Sequence, residues 1–210
     1  MAKTLTVILG AGASHSINID PTSTDNQGYR PPLAQQIFRD SREFRQILHK
    51  YEQAEILSSD IERKIRQNNP GIGLEQILRD FEEELKRGSD THKVRQFLQI
   101  PLYIQELFGV ISSNFTQRPD EYNVLVNEVL SKVDKVLFLV LNYDNLLEIP
   151  LSKISHTEFS TEEDYIKHNS WILVKIHGSI NWSKEFVDVK HADPSDSEYF
   201  RLLATSKLPL

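Results

Sequence analysis

Six residues of strand character, Thr4-Leu5-Thr6-Val7-Ile8-Leu9, run without a spacer into Gly10-Ala11-Gly12-Ala13-Ser14. This junction constrains the fold more than any other stretch. The β-rich apolar run predicts a buried strand, and the small residues after it predict a tight turn. Two glycines flanked only by alanines and a serine let a ligand approach the backbone closely. A phosphate-bearing ligand, a dinucleotide above all, suits such a turn.

The turn departs from the usual dinucleotide fingerprint. A third glycine is expected where His15 stands, and no acidic residue follows at the end of a second strand. An ordinary hydride-transfer Rossmann domain is therefore disfavoured.

The 210 residues are enough for one sizeable α/β domain, or for one domain with a helical insertion. Hydrophobic residues at 39% and charged residues at 26% exclude a disordered chain. A formal net charge of -6 offers no general attraction to phosphate backbones, so direct nucleic-acid binding is not expected. The chain has no cysteine, which excludes disulfides and thiolate zinc sites, and no metal is expected. The apolar run 136–141 is far too short to span a bilayer. Lys3, the apolar run and Ala11-Gly12-Ala13 imitate a signal peptide, but the apolar centre is short and carries two threonines. A cytoplasmic protein without a membrane partner is the simplest expectation.

Between the first strand and the next, the pattern is helical. Residues 16–32, rich in Asp, Asn, Ser, Thr, Gly and Pro, predict a long loop able to close over a ligand. Apolar spacing then predicts helices over 33–51, 54–66, 74–86, 93–112 and 120–132, with Pro101 kinking or dividing the fourth. Residues 33–132 thus read as a helical insertion. Lys135 begins a continuous apolar run to Leu141, the pattern of a parallel strand buried on both faces. A short helix from Leu146 limited by Pro150, a strand at 156–159 and a helix at 161–167 follow, then a third apolar strand, 171–176. A strand over 185–190 and a helix over 195–205 complete the reading.

Each of the three core strands ends in a distinctive cluster: Gly10 to Ser14, Asn142-Tyr143-Asp144, and His177-Gly178-Ser179. Singly, such clusters serve as turns and helix caps. Together they point to one site, because ligands of open parallel sheets bind at the carboxyl ends of the strands. His156, His168 and His191 lack such company and read as surface residues. Trp171 and Trp182 read as core or loop anchors, with Trp182 near enough to the cluster to line a pocket wall.

These three clusters, with Lys175-Ile176 before the last and Ile180-Asn181-Trp182 after it, resemble the sirtuin superfamily. The likeness is strongest to its bacterial sirtuin-like branch, whose members hydrolyse NAD in antiviral defence, and Arg30-Pro31-Pro32-Leu33 shares in it. The resemblance implies a Rossmann-like three-layer α/β fold with a parallel sheet. It implies that Gly10, Ala11, Gly12, Ala13 and Ser14 hold the pyrophosphate, with Gly178 and Ser179 also at the ligand. Asn142 would orient a ribose hydroxyl or the attacking water, Asp144 would sit near the nicotinamide, and His177 would act as general base. The chemistry suits these residue types on independent grounds. Nicotinamide leaves NAD as a neutral molecule from a cationic ring, so the carboxylate pair of most glycosidases is not required.

Two departures from the superfamily matter. Its protein deacetylases carry a four-cysteine zinc module, which this chain lacks, so hydrolysis gains over deacylation. The family's sheet continues past the His-Gly motif, whereas this sequence stops at Leu210, which implies a C-terminally incomplete domain. The leading expectation is an NAD glycohydrolase, controlled by homo-oligomerisation or by a partner defence protein. A non-catalytic NAD or ADP-ribose binding subunit, or a protein deacylase or ADP-ribosyltransferase, remain the alternatives.

Overall fold

A computed structural model describes residues 2–17, 29–67, 74–87, 91–115 and 120–182. Along the chain run β1 (Thr4–Leu9), α1 (Ala11–His15), α2 (Arg42–Leu48), α3 (Glu52–Gln67), α4 (Leu74–Lys86), α5 (Thr91–Phe115), α6 (Asp120–Lys132), β2 (Lys135–Val140), α7 (Glu148–Ser155) and β3 (Trp171–Lys175). Single 3-10 turns occupy Ala34–Gln36 and Glu162–Tyr165. The backbone divides into two compact units, one of Met1–Leu33 with Phe108–Trp182, the other containing Ala34–Leu107.

The first unit is built on a three-stranded parallel sheet in the order β1-β2-β3, so the chain is of α/β type. Val7 pairs with Phe138, and Phe138 with Leu173. Because side chains alternate along a strand, Val136, Phe138 and Val140 share a face with Trp171, Leu173 and Lys175. All six are buried. Tyr122 and Val126, one turn apart on α6, and Leu151 of α7 pack in the same core. Full burial of a side chain such as Phe138 contributes roughly 1.5–3 kcal/mol.

Two strands depart from expectation. β1 is not buried: among the described residues it is bonded on one side only, and Leu5 and Ile8 are 38% and 67% exposed. β2 is buried on one face and half-buried on the other. Its half-buried face carries Leu137 and Leu139, in register with Ile172 and Val174 of β3, and Ile172 is 40% exposed.

Local chemistry explains the remaining differences. The helix expected over 33–51 is broken at Ser41, whose side chain caps α2 by accepting from the Phe44 N–H at 3.4 Å. Pro101 does not divide α5, which runs as one helix of 25 residues. Pro150 does not limit α7 but sits in its first turn, where the missing N–H has no intrahelical partner to lose. The helix ends instead at His156, left-handed at φ 55, so no strand forms at 156–159. A capping box between Thr161 and Asp164 opens only a 3-10 turn where a helix was expected. Residues 185–190, 195–205 and His191, with most of 16–32, lie outside the described residues. No described helix is long and apolar enough to cross a membrane.

In the second unit Phe44, Ile61, Leu74, Leu78 and Leu107 are buried. Tyr103 stacks on Phe38 at 5.3 Å and donates to the Ile37 carbonyl at 2.6 Å. Glu106 accepts from Lys50 Nζ at 2.5 Å and from the Tyr51 hydroxyl at 2.6 Å. Those two bonds hold the Glu106 carboxyl below its ordinary value of 4.5, while burial, with help from Glu106, pushes Tyr51 up to about 12. A carboxylate depressed in the folded state adds stability above its unfolded pKa and loses it as the pH falls through its folded value. Glu106→Gln is therefore expected to melt below the wild type at neutral pH and to converge with it on acidification. A circular-dichroism melting series from pH 7 downward checks this; a constant gap at every pH would refute it.

Candidate functional site

The three clusters meet at the carboxyl end of the sheet. β1 does not enter a loop: Gly10 caps α1 directly, with the Ala13 N–H donating to the Gly10 carbonyl at 2.8 Å. The place expected for a third glycine is used differently, since His15 Nδ1 lies 2.8 Å from the Pro31 carbonyl oxygen. Gly10 and Gly12 have no positive φ, and a Cβ added at either would meet nothing within 4 Å. The chain's own packing among the described residues thus does not require glycine there. Ala11 and Ala13 are half-buried, and Ser14 is buried.

After β2, Asp144 Oδ1 accepts from the Leu146 N–H at 3.2 Å, turning the chain back toward α7. After β3, the Gly178 N–H donates to the Lys175 carbonyl at 3.2 Å. Gly178 has φ 91, a conformation that a side chain resists, so glycine is needed there by the turn itself.

Side chains and backbone then lace the clusters together. Asn142 Nδ2 donates to Ser14 Oγ at 2.8 Å, joining the second cluster to the first. The Ile180 N–H donates to the Tyr143 carbonyl at 3.1 Å, joining the third to the second. Lys175 Nζ donates to the Asp144 carbonyl and lies 3.1 Å from Glu148 Oε1, which also accepts from the Ser179 hydroxyl at 3.4 Å. Ser14, Asn142, Asp144, Gly178 and Ser179 are thereby brought together. His177 is half-buried beside Tyr143, ring centroids 6.2 Å apart, and no described residue hydrogen-bonds its imidazole.

Reading the sequence missed Tyr122, Glu148 and Lys175 as members of this network. Tyr122 shares a 2.9 Å hydrogen bond with Ser14 Oγ in which either hydroxyl can donate. Lys175 had a visible signal, since it continues the Trp171, Leu173 alternation and so must fall on the covered face. The Lys175 and Glu148 side chains are 0% and 3% exposed. Burial raises the Glu148 pKa, with the Asp144 charge adding to it, and the ammonium of Lys175 only partly offsets this. Lys175 thus meets the Glu148 carboxyl directly and Asp144 through its backbone carbonyl, with both acidic side chains buried.

Asn142 Oδ1, Asp144 Oδ2 and Glu148 Oε2 are buried with no hydrogen-bond partner among the described residues. Unpaired buried acceptors are costly, each on the order of 1–3 kcal/mol, and suit a ligand that brings hydrogen-bond donors or positive charge. No group of three or more His, Cys, Asp or Glu among the described residues is placed to hold a metal ion. Of the residues read as surface, His156 is exposed, but His168 stacks on Trp171 at 4.8 Å and 13° because the indole offers it a flat partner. Trp171 is buried in the core, and Trp182 packs edge-on to Tyr165 at 5.6 Å.

Fold and site together define a class: a parallel-sheet α/β protein with a buried, hydrogen-bonded polar centre at the carboxyl edge of its strands. No family model matches the chain, and no curated protein matches it.

Proposed function

We propose that the chain binds NAD at this edge and hydrolyses its N-glycosyl bond, adding water across it to give ADP-ribose and nicotinamide. The observation that carries the reading is the Asn142 amide, whose Nδ2 is held on Ser14 while its Oδ1 is buried with no partner among the described residues. An acceptor so placed suits a ribose hydroxyl or the attacking water. The carboxylates of Asp144 and Glu148 make the centre electronegative, which favours the oxocarbenium-like charge that grows as neutral nicotinamide departs. His177 takes the proton of the water. Gly10, Ala11, Gly12, Ala13 and Ser14 carry the pyrophosphate, with Gly178 and Ser179 completing the wall.

The resemblance to sirtuin-like NAD hydrolases of bacterial defence supports this reading, and with it a Rossmann-like three-layer fold whose residues 33–132 form a helical insertion. Unrestrained NAD loss would harm the host, so control by homo-oligomerisation or by a partner defence protein in the cytoplasm accompanies the proposal. One observation favours a second reading, a non-catalytic NAD or ADP-ribose binding subunit: among the described residues none hydrogen-bonds the His177 imidazole to orient it as a base.

Incubating the chain with NAD and measuring nicotinamide by chromatography tests the proposal, with calorimetry of NAD binding alongside. Release supports hydrolysis; binding without release supports the second reading; neither overturns both. Gly12→Ala sharpens the test. Because the added methyl meets nothing in the protein and lies within α1, the variant is expected to be as stable as the wild type or up to about 1 kcal/mol more so. Its KM for NAD is expected to rise about tenfold or more, since a pyrophosphate lying against the turn has no room for the methyl. An unchanged KM would remove the glycine turn from the site.

A further inference from the structure

We infer that Tyr122 is a positioning residue for Asn142, fixing through Ser14 which end of the side-chain amide faces the site. This rests on the reading of Asn142 as catalytic.

A side-chain amide has two nearly isosteric ends, a donor and an acceptor, and rotation by half a turn exchanges them. Ser14 cannot choose between them unaided, because a hydroxyl can accept from Nδ2 or donate to Oδ1 equally well. The choice follows from its single proton. Ser14 Oγ lies 2.9 Å from the Tyr122 hydroxyl as well as 2.8 Å from Asn142 Nδ2. In the inferred arrangement Ser14 gives that proton to Tyr122, one of the two directions the bond allows, and has only lone pairs left for Asn142. The amide must then present Nδ2 to Ser14 and Oδ1 to the site.

Placement favours this arrangement. Ser14, Tyr122 and Asn142 are 1%, 4% and 4% exposed, so water does not compete for these bonds. Tyr122 stands on α6, packed with Val126 against β2, which holds its hydroxyl in place. Burial, with the Asp144 charge, raises the Tyr122 pKa, so the hydroxyl stays neutral at neutral pH. Removing that hydroxyl returns the Ser14 proton to Asn142 and permits the flipped amide.

The test is Tyr122→Phe, which keeps the ring in the core, with Ser14→Ala as a second variant. In the wild type, the Asn142 side-chain NH2, assigned by comparison with Asn142→Asp, is expected to give one pair of 1H–15N resonances. In Tyr122→Phe the pair is expected to shift and to double or broaden as the flipped amide is populated. The kcat for nicotinamide release is expected to fall on the order of 10- to 100-fold with KM nearly unchanged, since only the orientation of one group is lost. In an Asn142→Ala background the same change should cost nothing further. An unaltered amide pair and unaltered kcat in a folded Tyr122→Phe protein would overturn the inference. Should the wild type release no nicotinamide, the hydrolase reading fails, while the amide spectra still decide whether Tyr122 orients Asn142.

Discussion

Asn142→Ala is expected to lower nicotinamide release from NAD by roughly 10²–10³-fold, the scale seen when one preorganised polar group is removed from a reacting centre. The expectation rests on position. Asn142 follows the central strand β2, is 4% exposed, and holds one amide end on Ser14 with the other unpaired. Alanine removes the unpaired acceptor while Ser14 and Tyr122 keep each other as partners, so the fold should survive. His177→Ala is expected to cost 10²-fold or more by removing the base, in the range of about 10²–10⁴ for general acid–base catalysis. Calorimetry should show that both variants still bind NAD, because neither change alters the backbone of Gly10 to Gly12, and Ser14 keeps its bond to Tyr122 when Asn142 is lost. Steady-state assay of both variants, with melting curves as the control for folding, checks the prediction. Full activity in both would falsify the catalytic assignment.

The strand-and-cluster logic was legible in the sequence because it is local. Apolar runs ending in small or polar residues mark the ends of parallel strands, and topology then brings those ends to one edge. Period-2 alternation in Trp171, Leu173 and Lys175 even carried the burial of the lysine, although its partner was out of reach: Glu148 lies 27 residues away. Tyr122 was less visible still. Its i, i+4 spacing to Val126 marks a helix face toward the core, but nothing local says that a hydroxyl on that face will meet Ser14. The exposure of β1 was illegible for a related reason. An apolar strand has the same sequence whether it has one neighbour or two, and among the described residues β1 pairs with β2 alone. Where turns were misread, a single residue decided between two local structures. Ser41 capped a helix that would otherwise have continued, and Pro150 entered a first turn rather than ending one.

The largest effect on stability is expected at Lys175. Among the described residues its ammonium is the only positive charge in the network that also holds Asp144 and Glu148, and all three side chains are almost wholly buried. Lys175→Met keeps most of the volume but leaves Glu148 without its counter-charge and the Asp144 carbonyl without its donor. Breaking a buried pair in this way costs about 3–5 kcal/mol, far more than the pair itself is worth. Pairing Lys175→Met with Glu148→Leu should therefore recover much of the loss, since no charge is then stranded. The pH dependence has a definite sign. Burial already raises the Glu148 pKa, and losing Lys175, which lowers it, raises it further. A carboxyl raised in the folded state adds stability below its unfolded pKa and loses it as the pH rises through its folded value. The deficit of Lys175→Met should thus be largest at neutral pH and shrink on acidification. Urea unfolding of the wild type, Lys175→Met and the double variant between pH 7 and pH 4 measures all three quantities. Equal stability of wild type and Lys175→Met at pH 7 would mean that Glu148 is carried neutral in the folded protein, and that hydrogen bonding rather than charge joins β3 to α7.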